Sequence, residues 1–142
     1  MNNLLTLFDL IGELARRRFQ IAEKHYSALR LNHTEARLLT LLHREDGKAS
    51  QDTLSNMLNV DRSNAGRALK NLEAEGYIER YQSAADKRTN LVKITDKGRE
   101  TVAEIEKLKE KMIQEFLGDL SEDEAGQIIN LLRKVYSNEA DL

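Results

Sequence analysis

Apolar residues recur at helical spacing along most of the chain, which predicts a mainly α-helical protein. The first such segment covers residues 3–29 and would run for about seven turns. Two helices are predicted near the C-terminus, over residues 95–117 and after a Ser121–Glu124 capping box. Three shorter segments lie between, and their expected N-caps are Thr34, Ser50 and Asp61. The expected helix stops are Gly47, Gly76 and Gly118.

One segment breaks the helical pattern. After Gly76, two short runs of β-type residues flank a polar loop at residues 83–89, which predicts a β-hairpin. Ile78, Val92 and Ile94 are expected to form its buried face. Because an isolated two-stranded hairpin is marginal in water, this one should pack against helices. The predicted order is therefore four helices, one hairpin and two helices.

The two helices before the hairpin predict a helix-turn-helix. The turn at residues 59–61 is too short for antiparallel stacking, so the helices should cross steeply. An i, i+3, i+4, i+7 row fixes the inward face of the second helix, which should meet the first helix through Leu54 and Leu58. That row is Ala65, Ala68, Leu69 and Leu72. The outward face then carries donors and small residues, namely Arg62, Ser63, Asn64, Gly66, Arg67 and Lys70.

Such an outward face suits the major groove of DNA, where side chains near a helix start reach base edges and basic residues reach phosphates. A solvated helix surface would carry the same residues. Gly66 is either a point of close approach to a duplex or a packing glycine. Net charge is −2, but residues 61–97 hold eight Lys/Arg against six Asp/Glu, and residues 98–142 hold six against eleven. The basic excess over the hairpin region is a weak indication of an anionic partner.

Other features exclude classes of function. The absence of cysteine excludes disulfides and thiolate zinc sites. There is no phosphate loop, Gly-x-Ser-x-Gly elbow or His-Glu-x-x-His pair, so we predict no catalytic residue and no cofactor. The three histidines lack close metal-ligand spacing, and no metal site is predicted. The basic cluster at residues 16–18 follows the apolar part of the N-terminus, unlike a signal peptide, which predicts a cytoplasmic location.

The segment "LSNMLNVDRSNAGRALKNLEAEGYIER", followed by "DKRTNLVKITDKG", resembles the MarR family of bacterial winged helix-turn-helix regulators. The resemblance extends back through "LNHTEARLLTLL" and covers essentially the whole chain. Its most discriminating part is a wing signature, carried here by Asp86, Arg88, Ile94, Thr95 and Gly98. Ala85 departs from the family, which frequently has proline or another turn-former there.

The resemblance implies a mainly α fold with a small antiparallel β wing. It implies that Arg88 enters a minor groove, that Asp86 braces it, and that Lys87 belongs to the same DNA-binding wing. A narrow minor groove concentrates negative potential and attracts arginine, which agrees with this role. The alternative is a surface ion pair worth at most about 1 kcal/mol. The implied division is a winged helix-turn-helix domain at residues 31–97, with dimerisation helices at residues 1–30 and 98–142.

The resemblance further implies a homodimer that represses transcription from a pseudo-palindromic operator, with half-sites about 10 bp apart. The expected interface residues are Leu4, Leu7, Ile11, Ile128, Leu132, Val135 and Tyr136. A chain whose termini pack only within the monomer would also show these apolar positions. Many family members release DNA when a small, often anionic aromatic compound binds. A solvated basic face is one account of the cationic residues near such a site, and an effector pocket is the other. The residues that could line the pocket are Arg16, Arg17, Arg18, His25, His33 and Arg37. The sequence is also compatible with a metal-responsive regulator of the same fold and with a helical protein-interaction module.

Overall fold

The computed structural model describes residues 2–136, which form six helices and a three-stranded antiparallel sheet. In chain order the elements are α1 (Asn3–Ser27), α2 (His33–Arg44), β1 (Lys48–Ser50), α3 (Gln51–Leu58), α4 (Arg62–Ala74), β2 (Ile78–Gln82), β3 (Asn90–Ile94), α5 (Asp96–Leu117) and α6 (Glu122–Tyr136). The mainly helical fold class predicted from periodicity is confirmed. The first helix ends two residues before the predicted residue 29.

Side-chain caps begin most of these helices, and the sequence predicted those at Ser50 and Asp61. Ser50, Asp61 and Thr95 each accept a hydrogen bond from the backbone N–H three residues later, at 3.0, 2.7 and 3.1 Å. The prediction that Thr34 caps α2 was wrong. Asn32 caps it, because Asn32 Oδ1 accepts from Glu35 N at 2.8 Å and Glu35 Oε1 accepts from Asn32 N at 2.9 Å. This reciprocal pair satisfies two backbone donors, so it starts the helix before Thr34 is reached.

The sheet has one more strand than predicted. β1 pairs with β3 in the register Lys48↔Lys93 to Ser50↔Leu91, and the strand order is β1-β3-β2. A three-residue strand is too short to show period-two alternation, which is why the sequence pattern missed it. The hairpin itself was predicted correctly: β2 and β3 pair from Ile78↔Ile94 to Gln82↔Asn90. Central position in the sheet explains why Val92 is fully buried.

The core lies between α2, the helix-turn-helix and the sheet. Its most completely buried side chains come from these elements and are Leu38, Leu39, Leu42, Leu54, Leu69, Leu72, Val92 and Ile94. Ala65 and Ala68 are also buried, which confirms the predicted inward face of α4. The hairpin rests on this core through Ile78, as its marginal stability alone requires.

The terminal helices contribute little to that core. Ile21 and Ala22 are the buried residues of α1, and the described α6 has none. α1 is tied to α5 through Glu115, which accepts hydrogen bonds from Lys24 Nζ at 2.7 and 2.9 Å and lies 3.2 Å from His25 Nε2. These contacts, led by the Lys24 hydrogen bond, hold the pKa of Glu115 below its ordinary value. Apolar residues on α1 and α6 are therefore left exposed in a single chain.

Candidate nucleic-acid interface

The outward face of α4 is accessible to solvent at all five residues predicted to contact DNA: Arg62, Ser63, Asn64, Arg67 and Lys70. Asp61 caps the helix, and the turn before it is held by Asn59 in the left-handed conformation at φ 55°. Packing of the alanine and leucine row against α3 orients the helix, so the predicted basic side faces solvent. The position of each residue agrees with the sequence analysis; its contact with DNA stays a prediction.

The cationic groups on this face have weak partners. Arg62 Nε lies 3.5 Å from Asp52 Oδ1 across two highly exposed side chains. Arg67 Nη2 donates a short hydrogen bond to Asn64 Oδ1, which orients the guanidinium along the helix surface. An exposed ion pair contributes at most about 1 kcal/mol, so Arg62 can exchange its carboxylate for a phosphate at little cost. The cationic side chains are thus oriented by neighbouring groups and remain accessible to a binding partner.

Gly66 lies in the middle of this face. A Cβ built at Gly66 would meet Gln51 Nε2 at 3.8 Å, which is ordinary van der Waals contact. Glycine in a helix interior is about 1 kcal/mol less favourable than alanine. Packing within the chain therefore gives no reason for the glycine. Of the two interpretations raised by the sequence, this geometry favours close approach to a duplex, which stays a prediction.

The hairpin loop presents Arg88 at its tip, with a side chain 93% exposed. Asp86 Oδ1 accepts a hydrogen bond from Arg88 N at 3.0 Å and lies 3.5 Å from Arg88 Nε. Thr89 donates to the other oxygen, Asp86 Oδ2, at 3.4 Å. The carboxylate is therefore placed to orient both the loop backbone and the guanidinium, as predicted for a brace. Lys87, between them, is exposed.

Ser83 accounts for the departure at Ala85. Its hydroxyl accepts hydrogen bonds from the backbone N–H of Ala85 at 3.2 Å and of Asp86 at 3.4 Å. Ser83 N also donates to Thr89 O at 3.0 Å, which closes the loop. A serine turn of this kind does locally what a turn-forming residue at position 85 would do. The loop keeps a defined shape without proline.

One residue pair that sequence spacing did not reveal joins α4 to the hairpin. Arg80 on β2 donates to Glu73 Oε1 through Nε at 3.2 Å and Nη2 at 3.0 Å, and Arg80 N donates to Glu73 Oε2 at 3.3 Å. The Arg80 side-chain hydrogen bonds hold the pKa of Glu73 below its ordinary value. The pair fixes the end of α4 relative to the hairpin. Its residues lie seven apart with no local periodicity between them, so sequence spacing gave no signal.

Gly98 makes a second junction behind the hairpin. A Cβ there would lie 2.3 Å from Tyr77 O and 2.6 Å from Ile94 Cγ1, so only glycine allows α5 to start this close to β2 and β3. Thr95, the N-cap of α5, also donates to Gly76 O at 2.7 Å. The Thr95–Gly98 part of the wing signature is therefore structural: it docks the hairpin on the body.

A cavity of about 430 Å³ opens where α1 and α5 meet α2 and α3. Its cationic lining residues are Arg18, Arg37, Arg44 and Lys109, and Glu106 is the acid on its wall. Of the residues that the sequence offered for an effector site, Arg18, His33 and Arg37 line this cavity. Arg16, Arg17 and His25 do not. His33 Nδ1 is buried without a hydrogen-bond partner, and burial followed by the Arg37 charge lowers the pKa of His33. The sequence did not point to Arg44 and Lys109, because only the tertiary fold brings them to the same cavity as Arg18 and Arg37.

Within the described range no group of three or more His, Asp and Glu side chains is placed to hold a metal ion. In the same range, no helix is long and apolar enough to cross a membrane.

A short capped helix, a tight turn, a helix with a cationic outer face and a braced β-hairpin together form a winged helix-turn-helix, a DNA-binding fold. Comparison with known proteins narrows this class. The profile of the family described as MarR family matches residues 31–89. The uncharacterized HTH-type transcriptional regulator YdgJ of Bacillus subtilis (strain 168) is 33% identical over 118 residues, which are 83% of this chain and 71% of that protein. This chain belongs to the MarR family of transcriptional regulators.

Solved structures agree with that assignment. A mutant of MarR from E. coli, crystallised with operator DNA, superposes with a TM-score of 0.80 and 26% identity over 94% of this chain and 96% of that one. A MarR-like regulator from Bacillus cereus ATCC 10987 gives a TM-score of 0.86 over 96% of this chain and 98% of that chain, at 21% identity. The second likeness concerns the fold alone.

Proposed function

We propose that this protein binds a pseudo-palindromic operator as a homodimer, represses transcription there, and releases the duplex when a small anionic compound binds. The observation that carries the proposal is that two exposed cationic features lie on the same winged helix-turn-helix. The basic face of α4 and the tip of the hairpin are both exposed, and the Glu73–Arg80 contact fixes one against the other. The MarR mutant solved with operator DNA supports the same use of the fold.

In this proposal α4 enters the major groove. Arg67, oriented by Asn64, reads base edges, since arginine is the side chain best suited to bind guanine bidentately. Arg62 and Lys70 contact phosphates, and Ser63 and Asn64 lie at the helix start where base edges are within reach. Helices of this kind read sequence through a few side chains, so these five residues would define the half-site.

The hairpin acts as the wing. Arg88 enters the adjacent minor groove, where negative potential is highest over A·T-rich steps. Asp86 limits the orientations of the guanidinium through its contact with Arg88 Nε at 3.5 Å, and Lys87 contributes charge toward the DNA backbone. Insertion requires a side chain that is exposed before DNA arrives, which Arg88 is.

The terminal helices form the dimer. Leu4 is 83% exposed and Val135 65%, and the other expected interface residues Leu7, Ile11, Ile128, Leu132 and Tyr136 are exposed too. A groove of about 550 Å³ runs between α1, α5 and α6, lined by apolar residues that include Ile11, Leu14, Leu117, Ile128 and Leu132. Monomeric proteins rarely leave apolar patches larger than a few hundred Å² uncovered. A two-fold partner would cover this surface and present two α4 helices to one duplex. Residues 1–30 and 98–142 would then form the dimer, and residues 31–97 would bind the DNA.

The cationic cavity is the site at which a small compound would regulate DNA binding. Four cationic side chains on its wall favour an anion. The wall is shared between α1 and α5, which belong to the proposed dimerisation helices (the dimer body), and α2 and α3, which belong to the DNA-binding domain at residues 31–97 (the reading unit). A ligand that binds there touches both parts, so it can favour one relative placement of the two α4 helices over another. A coupling free energy of about 1–3 kcal/mol would suffice to release DNA.

Selection of bound duplexes from a random pool tests the proposal. We expect an enriched inverted repeat with half-site centres about 10 bp apart. Affinity for that repeat should fall steeply as salt rises, because phosphate contacts release counterions. Sedimentation of the free protein should give the mass of two chains. Absence of any enriched sequence, or binding insensitive to salt, would leave a protein-interaction module as the better description.

A further inference from the structure

A second cavity, of about 160 Å³, adjoins the cationic one. The two share Arg18, Tyr26, His33 and Lys109 on their walls. Beyond these shared residues, the second cavity is lined by apolar side chains of α1 and α5: Ile21, Ala22, Met112, Ile113, Phe116 and Leu117. One chamber is thus charged, the other is apolar, and the shared residues mark the passage between them.

We propose that the effector is an amphiphilic carboxylate, with its anionic head in the cationic chamber and an unbranched apolar tail in the apolar one. This inference rests on the proposed function, because it names the ligand class for the same regulatory site. A compact aromatic acid would fill the cationic chamber alone. It would leave the apolar chamber to water, which finds few polar partners there.

The head group is selected by unpaired charge. Among the described residues, Arg18, Arg37, Arg44 and Lys109 make no ion pair within 4.0 Å. His33 lies on the wall shared by the two chambers, and its buried Nδ1 has no hydrogen-bond partner among the described residues. Phe19 and Tyr26 flank the His33 ring, with centroids at 4.8 and 5.8 Å, and fix its position. A carboxylate in this chamber would lie among four cations that no acid of the described residues neutralises.

The apolar tail of the ligand would lie next to the groove between α1, α5 and α6. Phe116, Leu117 and Arg18 line the apolar chamber and also the groove that the proposed dimer partner covers. Met57 of α3 lies on the wall of the cationic chamber. An amphiphile therefore contacts the helix-turn-helix with its head and the dimer body with its tail. Tail length should consequently set how strongly the ligand biases the spacing of the two α4 helices.

The test uses the full-length protein and butanoate, hexanoate, octanoate and decanoate, with benzoate as a compact aromatic acid. Isothermal titration calorimetry measures binding, and fluorescence anisotropy measures release of the selected operator duplex. We expect affinity to rise about fourfold per added methylene until the apolar chamber is full, and then to level off. Decyltrimethylammonium, with a comparable tail and the opposite charge, should not bind.

Two variants separate the chambers. Ile113→Trp narrows the apolar chamber from its exposed side, so it should abolish the dependence on tail length and leave benzoate binding intact. Arg37→Ala should weaken all the carboxylates by a similar factor. Lys107→Ala, on α5 and outside both cavity linings, is the matched control and should change nothing. Sedimentation of each variant checks that assembly is retained.

The outcomes distinguish this inference from the proposed function. Equal affinity for butanoate and decanoate, tighter binding of benzoate than of any tailed acid, or no carboxylate binding would each overturn the inference while operator binding stands. Failure to bind any duplex would instead overturn the proposed function, and calorimetry would still decide the ligand class. Dependence on tail length that persists in Ile113→Trp would show binding outside the chamber and would also overturn the inference.

Discussion

Replacement of Gly66 by alanine should change stability and DNA affinity in opposite directions. The added methyl group meets only Gln51 Nε2, at 3.8 Å, so no clash offsets the gain in helix propensity. Alanine is about 1 kcal/mol better than glycine in a helix interior, so the free energy of unfolding should rise by about that amount. The same methyl group projects from the face of α4 proposed to lie against the duplex. Operator affinity should therefore fall by about 1–3 kcal/mol, the range of one mismatched base pair.

Two measurements on the same preparation decide this. Urea denaturation gives the change in stability, and fluorescence anisotropy with the selected operator gives the change in affinity. Gly12→Ala is the matched control: it is also a helical glycine with nothing within 4 Å of a built Cβ, but it lies on α1. It is offset by about 100° from Ile11 around the helix, away from the expected interface row. It should gain stability without losing affinity. Wild-type operator binding by Gly66→Ala would refute close approach, and a loss of stability would restore a packing role.

Three further predictions concern the reading unit. Arg67→Ala should weaken operator binding by about 1–3 kcal/mol and relax sequence preference; equal losses on operator and random duplexes, measured by anisotropy, would reduce Arg67 to a phosphate contact. Arg88→Ala should weaken binding chiefly where the wing meets A·T-rich minor grooves, and unchanged affinity for such duplexes would remove the wing role. The pKa of Glu73 is lowered because Arg80 donates hydrogen bonds to its carboxylate. The stability that this carboxylate contributes is therefore fully present above the pKa of glutamate in the unfolded chain, and it is lost as pH falls through the pKa of Glu73 in the folded protein. Glu73→Gln should flatten that part of the pH–stability curve relative to wild type, and an identical acid limb in thermal melts would contradict the linkage.

Periodicity identified the reading helix because its signal is local and repeated. The apolar row of α4 spans two turns, and Asp61 supplies a cap directly before it, so inward and outward faces follow from the sequence alone. The wing tip could be predicted equally well, because Asp86 and Arg88 lie two residues apart and interact within one loop. The N-cap of α2 was misassigned because both Asn32 and Thr34 are capping residues, and only the reciprocal bond with Glu35 decides between them.

Features built from distant segments escaped the sequence analysis. Arg44 and Lys109 come from two different helices, and nothing in their local sequence shows that they share a cavity with Arg18. β1 exists because β3 has a free edge beside Gly47, whose carbonyl accepts from Ile94 N at 2.8 Å. The Glu73–Arg80 contact likewise depends on where the hairpin lands against the end of α4.

The sequence by itself determined the helix order, the faces of the helix-turn-helix, the hairpin and its charged tip, because each depends on neighbours within about two turns or one loop. Only the tertiary structure decided the third strand, the link between α4 and the wing, and the two adjoining cavities that α1 and α5 form with α2 and α3. Those features follow from how packed helices meet. Burial of one common set of apolar residues fixes that packing, and local propensity does not specify it.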